Sequence, residues 1–461
     1  VIFLLAFAAL AAAPSGWTSS VVWDAPADTP VRTVALVVDP STGERLFALD
    51  VGQLDGSSPP TLRYVRWDGS RYTAPVVVSR SLWSTSEAYM PAIATGDGVS
   101  WLLVLSRAHF GRAVGTRSSL VHRDTGRVFR TSDGLRLDPE VSQGRAAVAT
   151  DGVEAHACVA ERAADGDDVV VNHTEQGEWA RPDLGEDHVV ALVGTQDHCT
   201  LALRPDGTRV VAHHGGSTPS ALSVLLEEEV GLAEAGFPVE VQPPPGVVYN
   251  YPTVAVHPTP DGDELHLAFT RRESDTFTVV HTTCTARDPS DCSAVSDWSE
   301  AVEVAAPQTR NPHPQLKVDA SGVAWVAWAT DTTAGTATLA AASRCPGDTG
   351  FGPAELVDGI GEQGFGVATD GTVENHLFLS TTSLAVDDAA GTLHLAWVRR
   401  DGGRSVAVEG WRDLAVCEAA VRAPGIDSHR IPPWPSTPPP IRASRPSPSA
   451  RTVRGAARTC W

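Results

Sequence analysis

The strongest constraint on this chain is a hairpin turn that recurs. Six times a short apolar run ends in Asp-Gly, or in a longer turn that starts at Asp and reaches Gly, and a second alternating run follows; a weaker Asp turn makes a seventh. The copies are Ala35-Leu36-Val37-Val38 before Asp39 to Gly43, Ala92-Ile93-Ala94 before Asp97-Gly98, and Ala147-Val148-Ala149 before Asp151-Gly152. A weaker one surrounds Gln196-Asp197, and three clear ones follow: Thr253 to Val256 before Asp261-Gly262, Leu316 to Val318 before Asp319 to Gly322, and Leu384 to Val386 before Asp387 to Gly391. Aspartate and glycine supply the backbone angles that tight turns need. Roughly 45 to 70 residues separate the copies, room for four short antiparallel strands and variable loops. A sheet that small cannot bury both faces alone, so neighbouring copies must cover one another. The expected fold is all-β, a β-propeller of seven four-stranded blades.

The strand after each turn repeats as well. It reads WLLVL from Trp101, LHLAF from Leu265, AWVAW from Ala324 and LHLAW from Leu393. An outer strand is marked by an aromatic followed by proline or an acid, as at Tyr72 to Val76, Trp298 to Val302 and Phe351 to Glu355. The last unit lacks such a strand, while Val22-Trp23-Asp24-Ala25-Pro26 has its look. A strand near Thr18 to Ala25 is therefore expected to complete the seventh blade, which removes the open sheet edges. Leu222 to Glu234 reads as a short helix or an irregular outer strand of blade four, and Gly359 to Thr382 as a flap or extra hairpin.

Residues 1–13 form an apolar run followed by small residues, the pattern of a secretory signal and too short to span a bilayer. Residues 18–421 hold the propeller. From residue 422 to 461, Pro, Ser and Arg dominate and the repeat is gone, so that tail reads as disordered. With 56 acidic against 35 basic residues, the net charge of -21 argues against nucleic acid and anionic membrane as partners. Lys317 is the one lysine, a bias typical of GC-rich bacterial genes, so arginine frequency carries little weight. Export permits disulfides. Cys284 and Cys292 flank a hairpin loop and form the best local pair; Cys158, Cys199, Cys345 and Cys417 read as small buried hydrophobes.

His122 to Phe129, HRDTGRVF, carries Asp124, Gly126 and Phe129 at the offsets of an Asp-box, with His122 in place of the hydroxyl residue. Together with the repeat, this resembles the sialidase-like, Asp-box β-propeller superfamily over residues 30–420. The resemblance implies that the Asp-box turn is a fold element on the face away from the active site. A sialidase proper implies a Phe/Tyr-Arg-Ile-Pro motif near the mature N-terminus, an arginine triad, a Tyr nucleophile with its Glu partner and an Asp acid. The motif is missing where expected, and Arg430-Ile431-Pro432 falls in the tail.

In a propeller whose innermost strand starts at the working face, the segment before that strand and the loop between strands two and three line one mouth. The lead-ins are Tyr89-Met90-Pro91, Tyr249-Asn250-Tyr251-Pro252 and Arg310-Asn311-Pro312-His313-Pro314. Aromatic faces beside Asn and His suit sugars, stacking on C–H surfaces and bonding hydroxyls. The loops bring Arg107, Arg112, Arg162, Arg271, Arg272, Arg399 and Arg400, whose guanidinium forks suit carboxylate or sulfate, with Glu161, Glu273 and Asp275 able to neutralise them. The ligand-binding candidates are Tyr89, Tyr249, Tyr251, Arg271, Arg310, Asn311, His313 and Arg399. Glu87, Glu273 and Asp275 are the acids on that face, but loop acids are too plentiful to assign a catalytic residue. Asp197-His198-Cys199 with His213-His214, and Asp261-Gly262-Asp263-Glu264, lack the spacing of known metal sites, so no metal and no cofactor is expected. The expectation is a secreted, monomeric propeller that binds a glycan or other extracellular ligand at its mouth without hydrolysing it. The alternatives are a glycoside hydrolase or polysaccharide lyase, and a structural or protein-interaction propeller.

Overall fold

The structure, a computed structural model, describes residues 16–27, 29–52, 61–80, 86–96, 99–108, 114–132, 136–137, 147–152, 154–163, 166–175, 178–179, 189–191, 199–215, 221–226, 239–309, 311–331, 337–357, 383–401, 404–415 and 417. Val1–Cys417 is one compact unit; the second, Glu418–Trp461, lies outside the described residues. So do the signal-like run, Asp97-Gly98, Arg112, Asp197, His198, Arg310 and residues 359–382, together with the side chains of Glu87, Tyr89, Arg107, Glu161, Arg162 and Arg400.

The described residues form seven antiparallel sheets. The first strands are, in chain order, Val31–Val38, Ser86–Gly96, Ala147–Thr150, Cys199–Leu203, Val247–Thr259, Gln315–Val318 and Ser383–Asp387. Within each sheet the strands follow in sequence order from the first outward, apart from short additions at the edges of sheets two and three and the outermost strand of sheet seven, which comes from the N-terminal part of the chain. Each first strand touches the first strand of the next sheet, and Ser383–Asp387 touches Val31–Val38. The ring therefore closes, and the chain is a β-propeller. At the closure the Leu36 N–H donates to Ser383 Oγ at 2.9 Å. All seven first strands line a central cavity of about 420 Å³.

The seam between sheets follows from strand alternation. On second strands, Ala48, Ala212, Ala268, Ala327 and Ala396 hold the same register position, opposite Ala35, Thr200, Thr253, Gln315 and Ser383. All five alanines are fully buried. Four of them share a core cluster with a large side chain of the following sheet: Phe269 for Ala212, Trp328 for Ala268, Trp397 for Ala327, and Phe47 with Leu49 for Ala396. One face of a blade is small and the other large, so successive blades interlock as core side chains do.

The turns between first and second strands satisfy themselves. Asp319 Oδ1 accepts from the Ser321 and Val323 N–H groups at 2.9 and 3.0 Å, and its Oδ2 accepts from Trp325 Nε1 at 3.2 Å. Asp39 does the same with Ser41 and Thr42 at 2.9 and 3.0 Å, and takes Arg123 at 2.5 Å. Burial pushes the Asp39 carboxyl up, but the Ser41 and Arg123 hydrogen bonds outweigh it and hold it at about 2. The turn from Arg123 to Arg127 joins Val114–His122 to Val128–Ser132 and seats Gly126 at φ 63°. A Cβ there would stand 2.8 Å from the Tyr64 ring.

Thr18–Asp24 pairs with Arg404–Asp413 and is the outer strand of the seventh sheet. Leu222–Leu226 is the third strand of sheet four, which corrects the reading of residues from Leu222 as a helix or outer strand. The five residues are all buried between two neighbouring strands, four of them apolar, and a run that short carries no period to separate strand from helix. Cys284 pairs with Cys292 as expected. Cys158–Cys199 and Cys345–Cys417 are disulfides too, not isolated hydrophobes. Their Cα atoms lie 6.1 and 5.8 Å apart because adjacent sheets bring distant strands together.

Closure has a charged centre. Glu409, fully buried on the third strand of sheet seven, accepts from Tyr72 Oη at 2.6 Å and His394 Nδ1 at 2.9 Å, and ion-pairs with Arg45 Nε at 2.9 Å. Tyr72 and Arg45 belong to sheet one and its loop, so one carboxylate joins the last sheet to the first. Removing one partner of a buried charge strands the others, at about 3–5 kcal/mol. Glu409→Ala should lower unfolding stability in urea by that amount. Glu303→Ala, whose carboxylate is 50% exposed, should lose under about 1 kcal/mol; equal losses would contradict the assignment.

Candidate functional site

The two ends of the ring differ. At the turn end Asp39 and Asp319 pair within their own turns, whereas the lead-in end carries the irregular backbone. The register of the first strand slips between Val31 and Thr33, between Tyr89 and Ala92, and between Asn250 and Thr253. These are β-bulges at the start of three first strands, a feature that re-aims side chains beside sites. Tyr251 and His313 hold φ at 53° and 43°, and each directly precedes a proline, Pro252 and Pro314. Left-handed backbone in non-glycine residues costs about 1–3 kcal/mol and gathers at functional sites.

The two strained residues meet. Their rings lie 3.7 Å apart between centroids, tilted by 37°, across the boundary of sheets five and six. Both are buried, at 6% and 4% exposure, so they form the floor of this end and not an open stacking face. Beside them are polar atoms without a hydrogen-bond partner among the described residues: Asn250 Oδ1, Asn311 Oδ1, Thr270 Oγ1 and Trp328 Nε1. Asn250 pairs in register with Thr270. Thr270 lies on the face of sheet five toward sheet six, and Trp328 on the face of sheet six toward sheet five. Thr270 and Trp328 thus face each other's sheet across one seam, with Asn250 opposite Thr270 in register.

The remaining expected residues fall as follows. Tyr249 is half-buried, edge-on to Phe269 at 4.8 Å, and burial pushes its phenol up. Arg271 stands opposite it in register. Its guanidinium meets Glu273 at 3.1 Å and Glu303 at 2.6 Å, so two acids of its own sheet offset its charge. Arg399 holds the equivalent position on sheet seven, three residues beyond Ala396 as Arg271 is beyond Ala268. Tyr89 lies on the bulged strand of sheet two.

Sequence reasoning missed Arg32. It sits in the bulge of the first sheet, 5% exposed, with its NH2 at 2.8 Å from both oxygens of buried Asp50. The signal was available as an arginine inside the apolar strand Val31 to Val38. Arg32, Arg271 and Arg399 come from sheets one, five and seven, all at the lead-in end. The metal alternatives dissolve into other roles: Cys199 is in a disulfide, Asp263 binds Arg204 at 2.6 Å, and Glu264 faces His266.

A buried polar atom without a partner costs about 1–3 kcal/mol, so deleting it loses nothing and relieves that cost. Asn250→Ala and Asn311→Ala should each leave the urea midpoint of the unliganded protein unchanged or raised. A loss above about 1 kcal/mol would show that the amide oxygens are bonded within the protein.

No family model matches the chain, and no curated protein matches it in sequence. Solved structures similar to it include the phage phi92 endosialidase, with a TM-score of 0.48 and 10% identity over 92% of this chain and 72% of that one. Polysaccharide lyase Uly1 is similar at TM-score 0.47 and 11% identity, over 83% of this chain and 90% of the lyase. The intramolecular trans-sialidase of Ruminococcus gnavus is similar at TM-score 0.43 and 11% identity, over 85% and 96%.

Proposed function

We propose that the chain is a secreted, monomeric propeller whose seven sheets are its seven blades, and that it binds a glycan at the lead-in end without hydrolysing it. The observation that carries this reading is the stacked, strained pair Tyr251 and His313 together with the amide oxygens of Asn250 and Asn311, which have no partner among the described residues. A sugar presents adjacent hydroxyl groups that donate and accept, which is what two amide oxygens, a hydroxyl and an indole N–H require. The strain is a cost that the fold sustains at this end, where it fixes the direction of two side chains.

Two of the acids at that end, Glu273 and Glu303, are tied to the guanidinium of Arg271. They serve the arginine, while two-carboxylate hydrolysis requires acids free to face each other across the scissile bond. Three disulfides among the described residues support an oxidising compartment, as does the signal-like run. A net charge of -21 supports a partner other than nucleic acid.

A glycan array probed with the wild-type chain, His313→Ala and Asn311→Ala, alongside turnover of fluorogenic sialosides, tests this. Binding by the wild type that weakens at least tenfold in both variants, without turnover, is the expected result. Turnover overturns the binding reading, and silence on both overturns the glycan and leaves a protein ligand.

A further inference from the structure

The seam between sheets five and six holds, away from the lead-in end, a second pair of rings. His266 and His281 are buried at 4% and 0% exposure, and His266 Nδ1 lies 3.2 Å from His281 Nε2. Arg344, from the third strand of sheet six, places its NH1 at 3.3 Å from His281 Nδ1. Glu264 stands 3.6 Å from His266 Nε2. His257 on the first strand of sheet five acts on the same Glu264, and the Phe351 ring closes on His281 at 5.2 Å.

Those contacts assign every ring proton. Guanidinium has only donors, so His281 Nδ1 must accept from Arg344. A neutral His281 then carries its proton on Nε2 and gives it to His266 Nδ1. His266 carries its own proton on Nε2, directed at the Glu264 carboxylate. One added proton breaks this order. If His266 gains it, Nδ1–H points at His281 Nε2, whose proton must move to Nδ1 and oppose the Arg344 donor. If His281 gains it, its Nδ1–H opposes Arg344 directly. Either way a buried N–H of His281 opposes the Arg344 guanidinium across the seam.

We propose that the seam between sheets five and six is an acid-sensitive latch, held shut by His281 placed between His266 and Arg344 and bound across to Arg344 through its unprotonated Nδ1. Burial first, then His266 and Arg344, hold the His281 imidazole well below its ordinary 6.5. The folded chain thus takes its proton later than the unfolded chain does. The stabilisation is complete above about 6.5 and is lost as the pH falls below it. Tyr251 and His313 lie at the other end of this seam, so loosening it acts on the end proposed to take the ligand, though the latch itself stands without that reading.

The test is urea unfolding of the full chain from pH 7.5 to 5.0, for wild type and His266→Leu/His281→Leu. Below pH 6.5 the wild-type unfolding constant should rise by up to about tenfold per pH unit more than that of the double variant, one proton's worth. Parallel pH profiles would overturn the latch. Ring nitrogen shifts in the wild-type protein give a second reading that needs no variant. They should show His281 neutral with its proton on Nε2 at pH 7, and a charged His281 at that pH would overturn the proposal.

Discussion

A ring of sheets is stable only if its last member meets its first, and here that meeting depends on one buried carboxylate. Glu409 takes a phenol, an imidazole and a guanidinium into a site with no exposure. An ion in that position is tolerable only with its partners fixed around it. They come from different blades, so the charge is satisfied when the ring is shut and stranded when it opens. The N-terminal strand acts on the same place: Ser20 pairs in register with Glu409 itself. Closure by strand and closure by charge are thus one event.

With the ring shut, the seams make its two ends unlike. Alanine on one face and Phe, Trp or Leu on the other let each blade enter its neighbour to the same depth. The turn end is then finished by aspartates that cap their own turns. The lead-in end is left with chain that must bend from loop into a strand at the axis, and it does so through bulges and through Tyr251 and His313 in left-handed backbone. The ligand reading follows from that asymmetry, since unspent hydrogen-bonding capacity and backbone strain coincide at one end only of the seam between sheets five and six.

What the sequence made legible was local. Asp-to-Gly turns and the alternation in LHLAF, AWVAW and LHLAW encode hairpins directly, and the missing outer strand of the last unit pointed to Thr18–Asp24. Cys284 and Cys292 were readable because one hairpin loop brings them together. Cys158 with Cys199, and Cys345 with Cys417, were not, because their meeting requires knowing which strands adjacent sheets present to each other. Arg32 and Asp50, and the His266 and His281 pair, escaped for the same reason. The tyrosine and histidine of the lead-ins were visible as residue types, but their burial and strain arise from two blades pressing on one another.

Removal of the N-terminal strand, by starting the chain at Pro26, measures the central claim most directly. The account predicts that urea unfolding then begins at a much lower midpoint, with hydrogen exchange at Arg404–Asp413 and Val31–Val38 losing protection first. An unchanged midpoint, with those two strands protected as before, would contradict closure of the ring by that strand.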